Sequence, residues 1–208
     1  MFNSTKKHSR YWINRKNWLQ GYSSPEAINH PHRKLIVQVL ESFSWFSLVE
    51  VGCATGPNLV NIVKSIPGRQ IGGTDINADA IEACEEIFKG GHFNHCPAND
   101  LMMSDKSADV VLTDACLLYV GPFKIRKHLQ EIKRVARLQV VFCELNHKSF
   151  LARWKLRLLR GYHAHNYKKL LESEGFYDVM MYKLTERDWP GGDPWRNYGW
   201  IIKANVPR

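Results

Sequence analysis

Residues 49–56 read Val49-Glu50-Val51-Gly52-Cys53-Ala54-Thr55-Gly56, an apolar run ending in an acid and breaking into a turn of alternating small residues. Phe46, Leu48, Val49 and Val51 make a strand that carries Glu50 and Gly52 to its C-terminal edge, where glycine permits a tight turn and close approach of backbone to a ligand. Pro57 then suits the first turn of a helix. The stretch Gln70-Ile71-Gly72-Gly73-Thr74-Asp75 reads as a second strand ending in a carboxylate, Asp75, nineteen residues beyond Gly56. In dinucleotide folds a carboxylate so placed accepts hydrogen bonds from ribose hydroxyls. The two strands together mark a site for an adenosine-like molecule; a glycine turn that is merely structural is the plain alternative.

The glycine spacing separates cofactors. A pyrophosphate-binding turn wants G-x-G-x-x-G and a P-loop wants G-x-x-x-x-G-K-[ST], and neither is present. The pattern here is E-x-G-x-A-x-G, carried by Glu50, Gly52, Ala54 and Gly56. It resembles the first motif of class I S-adenosylmethionine-dependent methyltransferases, with Ala54 where that family has its middle glycine.

From about residue 31 onward, strands and helices alternate in the order this family uses. Helices are expected over 32–43, 58–66, 77–88 and 122–136, and another over 167–173 before Gly175. Strands are expected over 46–52, 70–75, 92–95, 108–113, 139–145, 177–184 and 198–206, the last two as a hairpin across a long Trp/Pro/Gly loop. The resemblance implies an α/β fold, a three-layer sandwich around a seven-stranded, mostly parallel Rossmann-like sheet ending in an antiparallel hairpin. It also implies S-adenosylmethionine as cofactor and S-adenosylhomocysteine as product.

Site residues follow from the same resemblance. Glu50, Gly52, Cys53, Ala54 and Gly56 form the loop at the methionine end, and Asp75 with Ile76 holds the ribose. Asn99, Asp100 and Leu101 match the position that reads adenine, while Thr113, Asp114 and Ala115 end the fourth strand facing cofactor and acceptor. Each has a plain alternative: a solvated turn aspartate for Asp75, a loop-fastening acid for Glu50, ordinary turn chemistry for Asn99-Asp100. Because a sulfonium already activates its methyl group, the protein need mainly align the acceptor. An acceptor hydroxyl or ammonium also needs a base, for which Tyr119, His147, His163 and His165 are the candidates. His163-Ala164-His165 offers two ligands with no nearby third, so no metal is expected and a basic loop before a helix is the simpler reading.

A length of 208 residues with 44% hydrophobic content fits a single domain. Within it, 1–30 is an N-terminal lid or arm, 31–146 the cofactor-binding core, 147–169 a basic insert and 170–208 a C-terminal helix and hairpin. Five cysteines without a C-x-x-C pair read as reduced thiols in a cytoplasmic protein. Residues 1–10 lack the apolar stretch of a secretory signal, no run of eighteen apolar residues occurs, and no membrane partner is expected.

Substrate choice should reside outside the common core. The arm places Tyr11, Trp12, Arg15, Trp18 and Tyr22 in twelve positions, resembling the lid of small-molecule methyltransferases, although a plain amphipathic helix fits as well. Residues 147–169 carry Lys148, Arg153, Lys155, Arg157, Arg160, Lys168 and Lys169 and no acid. With a formal net charge of +9, that insert invites a nucleic-acid substrate. Against it, the fourth strand continues as Thr113-Asp114-Ala115-Cys116 without the Asp/Asn-Pro-Pro-Tyr/Phe of base-amine methyltransferases, and no Pro-Cys pair occurs. A small acceptor is favoured over RNA or DNA, the insert serving equally to meet an anionic acceptor or as a soluble helix face; a non-catalytic S-adenosylmethionine-binding scaffold is the third class.

Overall fold

The computed structural model describes residues 4–15 and 19–207; Trp18 lies outside them. The arm is three short helices, α1 (Ser4–Ile13), α2 (Leu19–Tyr22) and α3 (Pro25–Ile28), followed by α4 (Pro31–Glu41). Then come β1 (Ser47–Val51), α5 (Pro57–Ser65), β2 (Gln70–Asp75), α6 (Ala78–Ile87), β3 (His92–His95) and β4 (Ala108–Asp114). A 3₁₀ turn (Leu117–Tyr119) leads to α7 (Ile125–Val135), β5 (Ala136–Leu145), α8 (Phe150–Arg160), α9 (Tyr167–Ser173), β6 (Tyr177–Lys183), α10 (Trp195–Tyr198) and β7 (Gly199–Asn205).

All seven strands form one sheet in the order β3-β2-β1-β4-β5-β7-β6. β7 runs antiparallel to both β5 and β6, and the remaining pairings are parallel. The period of two sends alternate residues to opposite faces. In β4, Val110 and Leu112 join the core beneath Ile36 and Leu40 of α4 and Leu59 and Ile62 of α5, while Val111 joins the core beneath Leu129 and Ile132 of α7 and Leu171 of α9. Burial on both faces explains why β1, β4 and β5 read as nearly unbroken apolar runs. Truncating a residue such as Leu112, which is fully buried, to alanine would cost about 2–5 kcal/mol.

Local chemistry sets the boundaries. Asp109 accepts hydrogen bonds from the amides of Phe46 and Ser47 at 2.8 and 3.1 Å, which fixes the start of β1 and leaves Phe46 outside it, exposed. Asn77 caps α6 through the Ala80 amide at 3.1 Å. The expected helix over 122–136 passes directly into β5 at Ala136, three residues before the expected strand start, with a register irregularity in β4 between Ala108 and Val110.

The segment 147–169 differs most from a basic loop. Its centre is α8, capped by Ser149 and closed by Gly161 at φ 74°; the residues that follow, His163 to His165, are buried. Among the described residues no helix is long and apolar enough to cross a membrane.

Candidate functional site

The sheet order reverses direction between β1 and β4, and there the C-terminal ends of the parallel strands open into a cavity of about 770 Å³. Ligands of doubly wound sheets bind at this switch point. The turn after β1 is built from left-handed residues, Gly52 at φ 76°, Ala54 at φ 50° and Gly56 at φ 77°. The amides of Gly52 and Cys53 both donate to the Thr74 carbonyl, at 2.7 and 3.0 Å, clamping the turn to the end of β2. A Cβ on Gly52 would stand 2.7 Å from the Cys116 sulfur, so the cradle requires glycine for space as well as for φ.

Asp75 is the fixed carboxylate of this cradle. Its Oδ2 accepts from the Ala54 amide at 3.0 Å and its Oδ1 from the Asn77 amide at 2.9 Å. Burial raises its pKa against the pull of those N–H groups. Gly52, Ala54, Asp75, Ile76, Asn99, Asp114 and Ala115 all line the cavity. Glu50, Cys53, Gly56, Asp100, Leu101 and Thr113 do not. Asp100 is turned outward because its amide closes a turn onto the Pro97 carbonyl at 2.9 Å, so Cys96, Pro97, Ala98 and Asn99 form the wall instead. Leu101 is in the core, its amide held by Glu131 at 2.8 Å. Glu50 is buried behind the cradle, where Asn58 donates to its Oε1 at 2.6 Å and burial pushes its pKa up to about 8.

At the end of β4 a second cluster forms around Asp114. Its Oδ2 accepts from His32 Nε2 at 2.8 Å, from the Arg33 guanidinium at 2.9 Å and from Asn58 at 3.0 Å. Burial alone would raise the Asp114 pKa, but His32 and Arg33 outweigh it and hold the carboxyl well below its ordinary value. His30 lies against His32, their Nδ1 atoms in contact, and both rings flank Trp189 at 4.8 and 4.1 Å between centroids. His32 Nε2 donates to Asp114; where His32 accepts at Nδ1, His30 donates from its own Nδ1 and keeps its lone pair on Nε2. Burial, with His32 and Arg33 nearby, lowers the His30 pKa to about 4. His32, Asp114 and Cys143 bring potential ligand atoms within 4.8 Å of one another. Arg33 already supplies the positive charge there, which disfavours a metal cation.

Aromatic side chains complete the cavity. Trp12 and Tyr119 meet edge to face at 5.5 Å, Tyr119 meets Tyr162 at 5.8 Å, and Trp189 stacks on Trp195 at 3.7 Å. Arg15 lies over the Tyr11 and Trp12 rings at 5.3 and 4.9 Å. Trp12 and Arg15 line the cavity, whereas Tyr11 is more than half exposed beside them. Asn77 ties the arm down by donating to the Trp12 carbonyl at 2.8 Å.

Of the histidines expected as bases, none lines the cavity. His147 Nδ1 accepts from the Ser149 amide at 3.0 Å, at the start of α8. His165 is buried with Nε2 on the Val120 carbonyl at 3.0 Å, and burial lowers its pKa to about 3. His163 is likewise buried, its pKa lowered to about 4 by burial and by Arg157. Tyr119 does line the cavity, but burial, with Tyr162 and Tyr22 beside it, raises its pKa and keeps the phenol protonated. Just below, Glu144 accepts from the amides of Cys116, Leu117 and Leu118 at 2.9, 2.8 and 3.1 Å.

His30, His32, Arg33, Trp189 and Trp195 escaped the sequence reading. A local signal existed in His30-Pro31-His32-Arg33, two imidazoles and a guanidinium at a proline-initiated helix start. What made it a site, the approach of α4 to the end of β4, is tertiary.

Residues 48–139, which contain the cradle, Asp75 and β4, match the family model of a methyltransferase domain. No curated protein matches the chain in sequence. Among solved structures, the magnesium protoporphyrin IX methyltransferase of Synechocystis with bound S-adenosylhomocysteine superposes with a TM-score of 0.70 at 14% identity, covering 99% of this chain and 100% of that one. A SAM-dependent methyltransferase from Archaeoglobus fulgidus gives 0.59 at 17% identity, covering 83% and 94%. The CurJ carbon methyltransferase gives 0.63 at 17% identity, covering 91% and 57%. Residues 48–139 thus match a methyltransferase domain, and the sheet as a whole has the fold of the S-adenosylmethionine-dependent methyltransferases it superposes on.

Proposed function

We propose that this methyltransferase transfers the methyl group of S-adenosylmethionine to an oxygen or nitrogen of a small acceptor seated between His30 and the aromatic wall. The observation that carries the reading is one continuous cavity bordered by the Gly52–Ala54 cradle and Asp75 on one side, and by His30, His32, Tyr162 and Trp189 on the other. When bound, S-adenosylmethionine supplies an electrophilic methyl group on a sulfonium. Asp75 accepts hydrogen bonds from the ribose hydroxyls, Asn99 and its neighbours border the adenine, and the left-handed turn leaves room for the methionine end.

The chain's own residues then orient the acceptor and manage its proton. Tyr119, Tyr162 and Trp189 exclude water and hold an apolar or aromatic body. His30 Nε2 takes the acceptor proton, and the hydrogen bond from His30 Nδ1 to His32, itself donating to Asp114, stabilises the imidazolium that results. Asp114 stays ionised throughout and positions His32. Arg33, committed to Asp114, Asn58 and the Ala27 carbonyl, is a structural cation; an acidic group on the acceptor would be met by Arg15.

Incubation with radiolabelled S-adenosylmethionine and panels of phenols, hydroxy acids, amines and total RNA tests the reading. Label entering a small O- or N-acceptor, and lost in His30→Gln, supports it. Label entering RNA alone sinks it.

A further inference from the structure

Helix α8 sits on the domain by a narrow stripe. Leu156 is its one fully buried residue, and the Tyr198 hydroxyl donates to the Ala152 carbonyl at 3.3 Å. Its other large apolar side chains face outward: Phe150 is 70% exposed, Leu151 74%, Trp154 54%, Leu158 62% and Leu159 69%. At 100° per residue, Phe150, Trp154, Leu158 and Leu151 fall within an arc of roughly 100°, and Leu159 lies roughly 80° beyond it. Arg153, Arg157 and Arg160 lie together on one flank of that arc and Lys155 on the other, between Leu151 and Leu159. Among the described residues no carboxylate pairs with any of these four cations. The run from 147 to 169 contains no acid at all.

A solvated helix face needs none of these apolar groups, and a nucleic-acid-tracking face would present its cations outermost, with the apolar residues turned inward. The arrangement found is the reverse, an apolar stripe of Trp, Phe and Leu projecting from a cationic border. We propose that α8 is an interfacial anchor that docks the enzyme on an anionic phospholipid surface. The apolar stripe would enter the headgroup–acyl boundary, and Arg153, Lys155, Arg157 and Arg160 would meet lipid phosphates, each cation strengthening binding about fivefold. Tyr162, two residues past the helix, belongs to the cavity wall, so docking would hold the acceptor pocket near the bilayer. The inference concerns the surface alone and stands whether or not His30 is the base.

Flotation of the full chain with phosphatidylcholine vesicles, with and without phosphatidylglycerol, tests it. Binding is expected to the anionic vesicles, weakened at least tenfold by raised salt and abolished in Trp154→Glu/Leu158→Glu, two exposed positions whose replacement should leave the far-UV circular dichroism and melting temperature unchanged. Arg153→Gln/Arg157→Gln should weaken anionic binding at least tenfold while preserving fold. Failure to float with anionic vesicles would overturn the proposal. So would flotation unaffected by the double glutamate variant, or a vesicle-independent dimer that this variant dissolves.

Discussion

His32 Nε2 lies 2.8 Å from Asp114 Oδ2 across 82 residues of chain, and this contact determines which nitrogen of His30 carries the lone pair. The expected consequence is kinetic. His30→Gln should lower kcat by about 10²–10⁴-fold, the usual worth of a positioned base, with cofactor affinity little changed. His30 is neutral above its pKa of about 4, so wild-type kcat/KM should hold at neutral pH and fall as pH drops through that value. His32→Asn, which keeps a donor but disturbs the chain of hydrogen bonds, should lower kcat less. A pH profile identical in His30→Gln would remove His30 from the mechanism.

In the proposed reading Asp75 bears on the cofactor rather than the acceptor. Asp75→Ala should weaken S-adenosylhomocysteine binding at least tenfold, as loss of charge-assisted hydrogen bonds worth about 1.5–3 kcal/mol requires. Because Asp75 also fastens the Ala54 and Asn77 amides, melting temperature should fall too. Titration calorimetry showing unchanged affinity would displace the ribose from this carboxylate.

Glu50 gives a prediction in pH and stability. Its folded pKa is raised from 4.5 to about 8 by burial, so the folded state keeps a proton that the unfolded chain has already lost. The associated stability is full below about pH 4.5 and disappears as pH rises through about 8. Glu50→Gln, which keeps an acceptor for Asn58, should melt near the wild type at about pH 5 and several degrees above it at about pH 9. Parallel melting curves across that range would mean that the carboxyl ionises normally.

Gly52 and Ala54 occupy neighbouring left-handed positions with opposite expectations. Gly52→Ala forces a Cβ to within 2.9 Å of the Cys116 Cβ at a φ of 76° and should cost about 2–4 kcal/mol in chemical denaturation. Ala54→Gly relieves a left-handed alanine while loosening the unfolded chain, and should stay within about 1 kcal/mol of the wild type. Equal losses in both variants would show that space at Gly52 is not the constraint.

The sheet was legible in the sequence because its central strands β1 and β4 are buried nearly throughout and its elements are punctuated by glycine and proline, so that apolar run and turn chemistry agree. Asp75 was legible for the same reason: a carboxylate at a strand end needs no knowledge of distant contacts. Asp100 could not be separated from Asn99, since a single turn hydrogen bond decides which of two adjacent polar side chains faces the cavity. His163 and His165 looked like loop residues because the bridge from Asn146 to His165, which buries them, joins segments far apart in sequence. The α8 segment was read by its charges, whereas its apolar spacing of three and four would have shown the helix. His30 and His32 acquire meaning only when α4 packs against the end of β4.

Glu144 bears on the shape of the cavity wall through occupancy. Three successive amides converging on one carboxyl group form a receptor, and here the chain supplies the guest itself, at an effective concentration that a dissolved ligand rarely matches. Glu144 is fully buried beneath that wall, so shortening it to alanine would strand the three amides and loosen the turn that carries Cys116 and Leu118 into the cavity.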